Sequence, residues 1–156
     1  GLTGGFLPMG ITLSKEKIFQ SFIDESPKKT FWHGHSFTAN PLGCAAANAS
    51  LDLLEKEPNK YISFEKKHIK HLAKFRKFPL IKKFRITGTI AAFDLELGDN
   101  TGYLNNIGKE IKRKSMEKGL FIRPLGNVIY LLPPLCITDN QLEKSYEIIK
   151  QILNDL

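Results

Sequence analysis

The sequence predicts an α/β protein in two parts that divide near Pro58. Three observations carry this. The stretch "EKEPNKY" sets a proline among charged residues and breaks the hydrophobic periodicity on either side of it. After it, helical and β-branched segments alternate, the pattern of a compact α/β or α+β unit. Before it, the best-signalled element is a single helix with a complete start signal and many small residues.

The elements follow in order. "GLTGG" reads as a loop, because its glycines reach backbone angles closed to other residues. "FLPMGITLS" is predicted as a short strand with Pro8 near its entry. "SKEKIFQSFIDES" is predicted as a helix capped by Ser14, with Lys17 where a capping box would hold Glu. "PKKT" connects it to "FWHGHSFTANPLGCAAANASLDLL". In that segment Asn40 is a strong N-cap and Pro41 suits the first helical position. Leu42, Ala45, Ala46, Ala49 and Leu53 recur at helical spacing, a face whose alanines admit a close neighbour.

Beyond Pro58, a basic amphipathic helix is predicted from about Ile62 to Lys77, with Ile62, Ile69, Leu72 and Ala73 inward. "KKFRITGTIAAFDLEL" should be one strand or a bent pair kinked at Gly88. "YLNNIGKEIKRKSMEKG" reads as a helix with Leu104, Ile107 and Ile111 inward and Gly119 as its stop. "LFIRPLGNVIYLLPPLCI" looks like two short strands around the "PLGN" turn. Thr138 and Gln141 form a capping box, and Leu142, Tyr146, Ile149, Leu153 and Leu156 mark one stripe of the last helix.

Composition narrows the function classes. Hydrophobic content of 42% and charged content of 25% are those of a soluble globular chain. No apolar run approaches the roughly 20 residues that span a bilayer, so no membrane partner is expected. The opening residues lack a basic start and a long apolar centre, and they lack an initiator Met. We therefore expect a fragment or a processed piece. Cys44 lies among alanines and Cys136 in an apolar run, so both are expected to be buried thiols in a reducing cytosol. The net charge of +7 is concentrated in Glu65 to Phe84, with eight Lys or Arg against one Glu. That segment lacks the interleaved aromatics and glycines of RNA-binding motifs, so it reads as a solvated face and no nucleic-acid partner is expected; the alternative is a non-catalytic basic module that binds RNA or an acidic partner through it.

Few residues are placed for chemistry. His33, His35, His68 and His71 match no recognised zinc spacing, and no metal is expected. Ser36 beside His35 lacks a nucleophile elbow, and "GLTGG" lacks the G-x-G-x-x-G fingerprint. Two candidates remain. The turn Gly34–His35–Ser36 aims into the start of a helix, where backbone N–H groups and a partial positive charge suit an anion. An ordinary helix cap is the alternative. Arg123 sits in an apolar run directly before Pro124 and Gly126. There it is either a snorkelling strand-end arginine or a fixed guanidinium suited to a carboxylate.

Taken together, "GLTGGFLPMGITL", "HGHSFTANPLGCAAANASL" and "IRPLGNVIYLLPPL" stand in the order and approximate spacing of class III pyridoxal-phosphate aminotransferases, which the whole chain resembles. Two departures are His35, where the family often has Pro, and Leu135, where Tyr commonly follows the double proline. The resemblance implies the C-terminal part of a fold-type I PLP-dependent transferase. Residues 1–57 would end the large PLP-binding domain, and residues 58–156 would form a small α+β domain. It implies that His35 and Ser36 contact the phosphate of pyridoxal 5'-phosphate, with the Ser36 hydroxyl serving the cofactor held mainly by the other subunit of a homodimer. Gly34 would let substrate approach the backbone, and Arg123 would bind a substrate carboxylate. The Schiff-base lysine is expected directly before Gly1, so this chain would hold no catalytic residue of its own. Tyr130 stands where ornithine- and GABA-type relatives usually carry arginine. That points to the biotin-pathway branch, whose small-molecule substrates are 8-amino-7-oxononanoate and S-adenosylmethionine or, in some relatives, lysine as donor; the alternative is another class III aminotransferase with a different acceptor.

Overall fold

The computed structural model of the chain describes residues 1–96, 102 and 104–156. They fall into two compact units, Gly1–Pro58 and Asn59–Leu156.

The first unit contains two helices, α1 (Glu16–Gln20) and α2 (Pro41–Lys56), and a short 3₁₀ turn at Pro27–Lys29. The strand predicted over "FLPMGITLS" does not form. An extended segment becomes a strand only by pairing, and the described residues of this unit offer it no partner. Helix α1 is also shorter than predicted, and its N-cap is Lys15, not Ser14, with no side-chain hydrogen bond. None of its residues is buried, so nothing compensates the missing cap.

Helix α2 starts where Asn40 and Pro41 predicted. Asn40 Oδ1 accepts from the backbone N–H groups of Leu42 (2.9 Å) and Gly43 (3.4 Å). The predicted inner face is corrected. Gly43 is its one buried residue, with Cys44, Ala46, Ala47 and Ser50 partly covered, while Leu42, Ala45, Ala49 and Leu53 face solvent.

The second unit is a three-stranded antiparallel sheet carrying three helices. Helix α3 (Lys60–Ala73) leads into β1 (Ile81–Thr87), which turns at Gly88–Thr89 into β2 (Ile90–Leu95). Of the two forms expected, one strand or a bent pair, the pair forms, as a hairpin with Thr87 opposite Ile90 and Ile81 opposite Leu95. Leu97, the last residue of that predicted segment, lies outside the described residues, as does Tyr103 at the start of the next. Helix α4 (Ile107–Glu117) follows, then β3 (Val128–Leu131) pairing with the far side of β2, then α5 (Asp139–Asn154). Gly119 ends α4 as predicted: its N–H donates to Met116 O and that of Leu120 to Ser115 O, the Schellman pair.

The core lies between the sheet and the helices. Phe75, Leu95, Ile111, Ile129, Leu142, Ile149 and Ile152 are all essentially inaccessible. Helix α5 supplies its face as predicted, apart from exposed Leu156, and its capping box forms in both directions. Helix α3 does not. Ile62, Ile69 and Ala73 point outward, and the buried residues are Phe64, His68, His71 and Leu72. Leu104, predicted to face inward, is exposed as well. Only the second of the two strands predicted around "PLGN" forms. Residues 120–123 pair with no strand among the described residues, and the turn closes through mutual 2.9 Å hydrogen bonds between Leu125 and Val128.

Candidate functional site

The two sequence candidates lie in different units. Gly34, His35 and Ser36 form an exposed turn in the first unit. The His35 N–H donates to Thr38 Oγ1 (3.2 Å), and the Thr38 N–H donates back to His35 O (3.0 Å). The chain then passes through Ala39 at φ +55°, a strained angle for a residue with a side chain, before Asn40 caps α2.

This geometry changes the anion argument. The first free amides of α2 do not face the turn, because the Asn40 side chain already takes those of Leu42 and Gly43. Donors for an anion must come from the turn itself. Among the described residues the backbone N–H groups of Ser36 and Phe37 have no acceptor, and the Ser36 hydroxyl stands exposed beside them.

Arg123 lies in the second unit, at the surface. It borders an apolar cleft of about 340 Å³ lined by Phe121, Tyr130, Leu132, Pro133, Pro134 and neighbours. Arg123 is the only charged residue among the described residues that line it. Tyr130 reaches the cleft from β3, where it pairs with Ala92 of β2. The apolar wall was not predicted, although the double proline after β3 was its visible signal.

Other candidates resolve structurally. Among the described residues no three His, Cys, Asp or Glu side chains cluster to hold a metal. His68 is fully buried. Its Nε2 lies 3.0 Å from the Thr89 carbonyl, which can only accept, so Nε2 carries the proton and the Tyr146 hydroxyl donates to Nδ1 (2.6 Å). His71 stacks on the Tyr146 ring at 4.7 Å. Burial holds both imidazoles below their ordinary pKa, and the positive charge of Lys74 adds to the effect at His71. Burial also raises the Tyr146 hydroxyl. Cys136 is exposed and Cys44 half-buried, both as free thiols, which corrects the expectation of two buried ones. Cys136 follows the proline pair into the irregular approach to α5, outside the sheet that would have covered it. Among the described residues no helix is long and apolar enough to cross a membrane.

Residues 1–153 match the family model for class III aminotransferases, and the chain belongs to that family. Its fold is that of the fold-type I PLP transaminases, of which it carries an α/β part. The adenosylmethionine-8-amino-7-oxononanoate aminotransferase of Synechococcus elongatus is 46% identical over 156 residues, covering all of this chain and 37% of that protein. Its counterpart from Methanocaldococcus jannaschii is 36% identical over 97% of this chain and 35% of its own length. The crystal structure of the M. jannaschii enzyme superposes with a TM-score of 0.82, covering 97% of this chain and 37% of that one. An amine transaminase from an uncultivated Pseudomonas species, solved in its PLP-bound form, also gives 0.82 at 25% identity, over 99% of this chain and 37% of its own. The chain thus spans about a third of the length of the curated relatives it matches.

Proposed function

We propose that this chain is the C-terminal part of a biotin-pathway aminotransferase. The whole enzyme transfers an amino group from S-adenosylmethionine to 8-amino-7-oxononanoate, giving 7,8-diaminononanoate. The observation that carries the reading is the cleft in the second unit. Arg123 borders a wall of leucine, phenylalanine and proline, which Tyr130 also lines. A keto acid with a carboxylate on a long apolar chain presents the complementary pattern: a planar anion for the arginine fork and methylenes for the wall.

In this reading residues 1–57 end the large cofactor domain and residues 58–156 are the small domain. Pyridoxal 5'-phosphate, when bound, supplies the electron sink that lets an amino group pass between carbon skeletons. The residues present fit its phosphate end. Ser36 brings a hydroxyl, and the turn that His35 opens brings the acceptor-free amides of Ser36 and Phe37, which suit a phosphate. Gly34 leaves the backbone open to substrate. The anchoring Schiff-base lysine is assigned to the position directly before Gly1. The reading also carries a homodimer, in which Ser36 serves the partner's cofactor, and a cytoplasmic setting.

The test uses the full-length enzyme. Arg123→Ala should lower kcat/KM for 8-amino-7-oxononanoate by at least about tenfold, a loss of about 1.4 kcal/mol. The half-reaction with S-adenosylmethionine should fall less, since that donor carries its carboxylate beside its reacting amine. Arg123→Lys should restore only part, because a point charge cannot form the fork. Equal losses in both half-reactions, or none, overturn the substrate assignment. Ser36→Ala removes a hydrogen bond to a charged group, which costs about 1.5–3 kcal/mol, so cofactor retention should weaken about tenfold or more. Ser36→Thr should be tolerated. Unchanged cofactor affinity in the alanine variant would leave the turn a structural element only.

A further inference from the structure

We propose that Gly108 is a positioning residue that sets where Arg123 stands, an inference that rests on the reading of Arg123 as the carboxylate-binding group. Gly108 is buried in the first turn of α4, packed on the "PLGN" turn that follows Arg123. A Cβ at this position would strike the Gly126 carbonyl oxygen and lie 3.1 Å from Pro124 Cβ. The first contact is with backbone, so no side-chain rotation relieves it.

Something must move, and the surroundings decide what. Helix α4 is held by Ile111 and Ser115, both with 1% exposure or less, and it packs on α5. The far end of the turn is held by Asn127. Its Nδ2 donates to Leu95 O (2.8 Å), its Oδ1 accepts from the Gly102 N–H (2.9 Å), and its own carbonyl accepts from the Leu95 N–H (2.9 Å). Gly126, at φ +59°, joins this anchored end to Leu125, which its two hydrogen bonds with Val128 hold, and Pro124 precedes that closed turn. Arg123 is exposed, and the compliant arm is therefore Pro124–Arg123. A methyl group at position 108 tilts the turn about Asn127 and carries the guanidinium away from the cleft.

The experiment is a double-variant cycle in the full-length enzyme, read as KM for 8-amino-7-oxononanoate against kcat and against the S-adenosylmethionine half-reaction. Gly108→Ala should raise that KM by about tenfold with the donor half-reaction changed less than about threefold. Combined with Arg123→Ala, it should add nothing, because it acts through the side chain already removed. Pro124→Gly removes the ring and keeps the Gly108–Gly126 contact. It should show the same non-additive pattern at smaller size, and it carries the test if Gly108→Ala fails to fold. If Arg123→Ala itself leaves the KM unchanged, the substrate reading fails and this inference falls with it. If Arg123→Ala raises the KM but the Gly108 and Pro124 variants do not, or their effects multiply with it, the positioning role alone is overturned.

Discussion

The two units are built from similar residues and bury very different shares of them. In Asn59–Leu156 the sheet and three helices enclose a continuous core, with Phe75 in contact with Phe78, Phe93 and Tyr146 at ring separations of 5.7–6.0 Å. In Gly1–Pro58 the apolar residues are as plentiful, yet Phe6, Leu13 and Trp32 are each more than 80% exposed. Thr3 and Gly43 are its only buried residues among those described. The second unit has the means to be stable alone, because apolar burial is the main favourable term in folding. The first has helix signals without a core, and propensity by itself does not hold short helices in water.

The largest expected effect is therefore all-or-none. Residues 59–156 expressed alone should unfold in one cooperative thermal transition, whereas residues 1–58 alone should show none by circular dichroism. A cooperative transition in the shorter piece would break the comparison. Next in size are core truncations. Phe75→Ala should cost the second unit about 3–5 kcal/mol in denaturant unfolding. Trp32→Ala, which deletes an even larger side chain from the first unit, should change stability of the same chain by less than about 0.5 kcal/mol.

A smaller effect concerns pH. His68 and His71 are buried with folded pKa values below the ordinary one, so the unfolded chain binds protons more readily than the folded one. Their contribution is complete above the unfolded value of about 6.5 and is lost as pH falls from there toward the folded values. The slope should not exceed about 1.4 kcal/mol per pH unit for each histidine. His68→Gln should flatten it, and a stability of the second unit that stays constant between pH 7 and 5 would contradict this account. Smallest are the caps. Thr138→Ala should cost about 1 kcal/mol of the cooperative transition. Asn40→Ala deletes an equally well-formed cap, yet it should leave that transition unchanged and reduce only helical signal, because α2 lies in the unit that carries little of the core.

Element types were largely legible. Asn40–Pro41, the Thr138–Gln141 box and Gly119 each act through bonds within a few residues, so the local sequence contains both partners. Which face turns inward was less legible. On α3 the isoleucines Ile62 and Ile69 are exposed and two histidines are buried, because Tyr146 and the Thr89 carbonyl, both distant in sequence, satisfy His68. The exposed stripe of α2 has the same origin, since nothing described in its own unit packs on Leu42 or Leu53. The candidate site divides likewise. Ser36 and Arg123 stood out as residue types in unusual surroundings, but the apolar wall beside Arg123 is assembled from β3, the proline pair and α5.

By itself, the sequence determined the caps of α2 and α5, the stop at Gly119, the bend at Gly88 and the motifs that mark the class III family, because each depends on neighbours within one element or on a local string of residues. Only the tertiary structure decided that Ile62 and Ile69 face outward while His68 is buried, that His68 carries its proton on Nε2, and that a methyl group at position 108 would strike the Gly126 carbonyl. Those outcomes depend on distances between segments brought together by the core, and apolar burial, which drives that assembly, is proportional to area and carries no direction of its own.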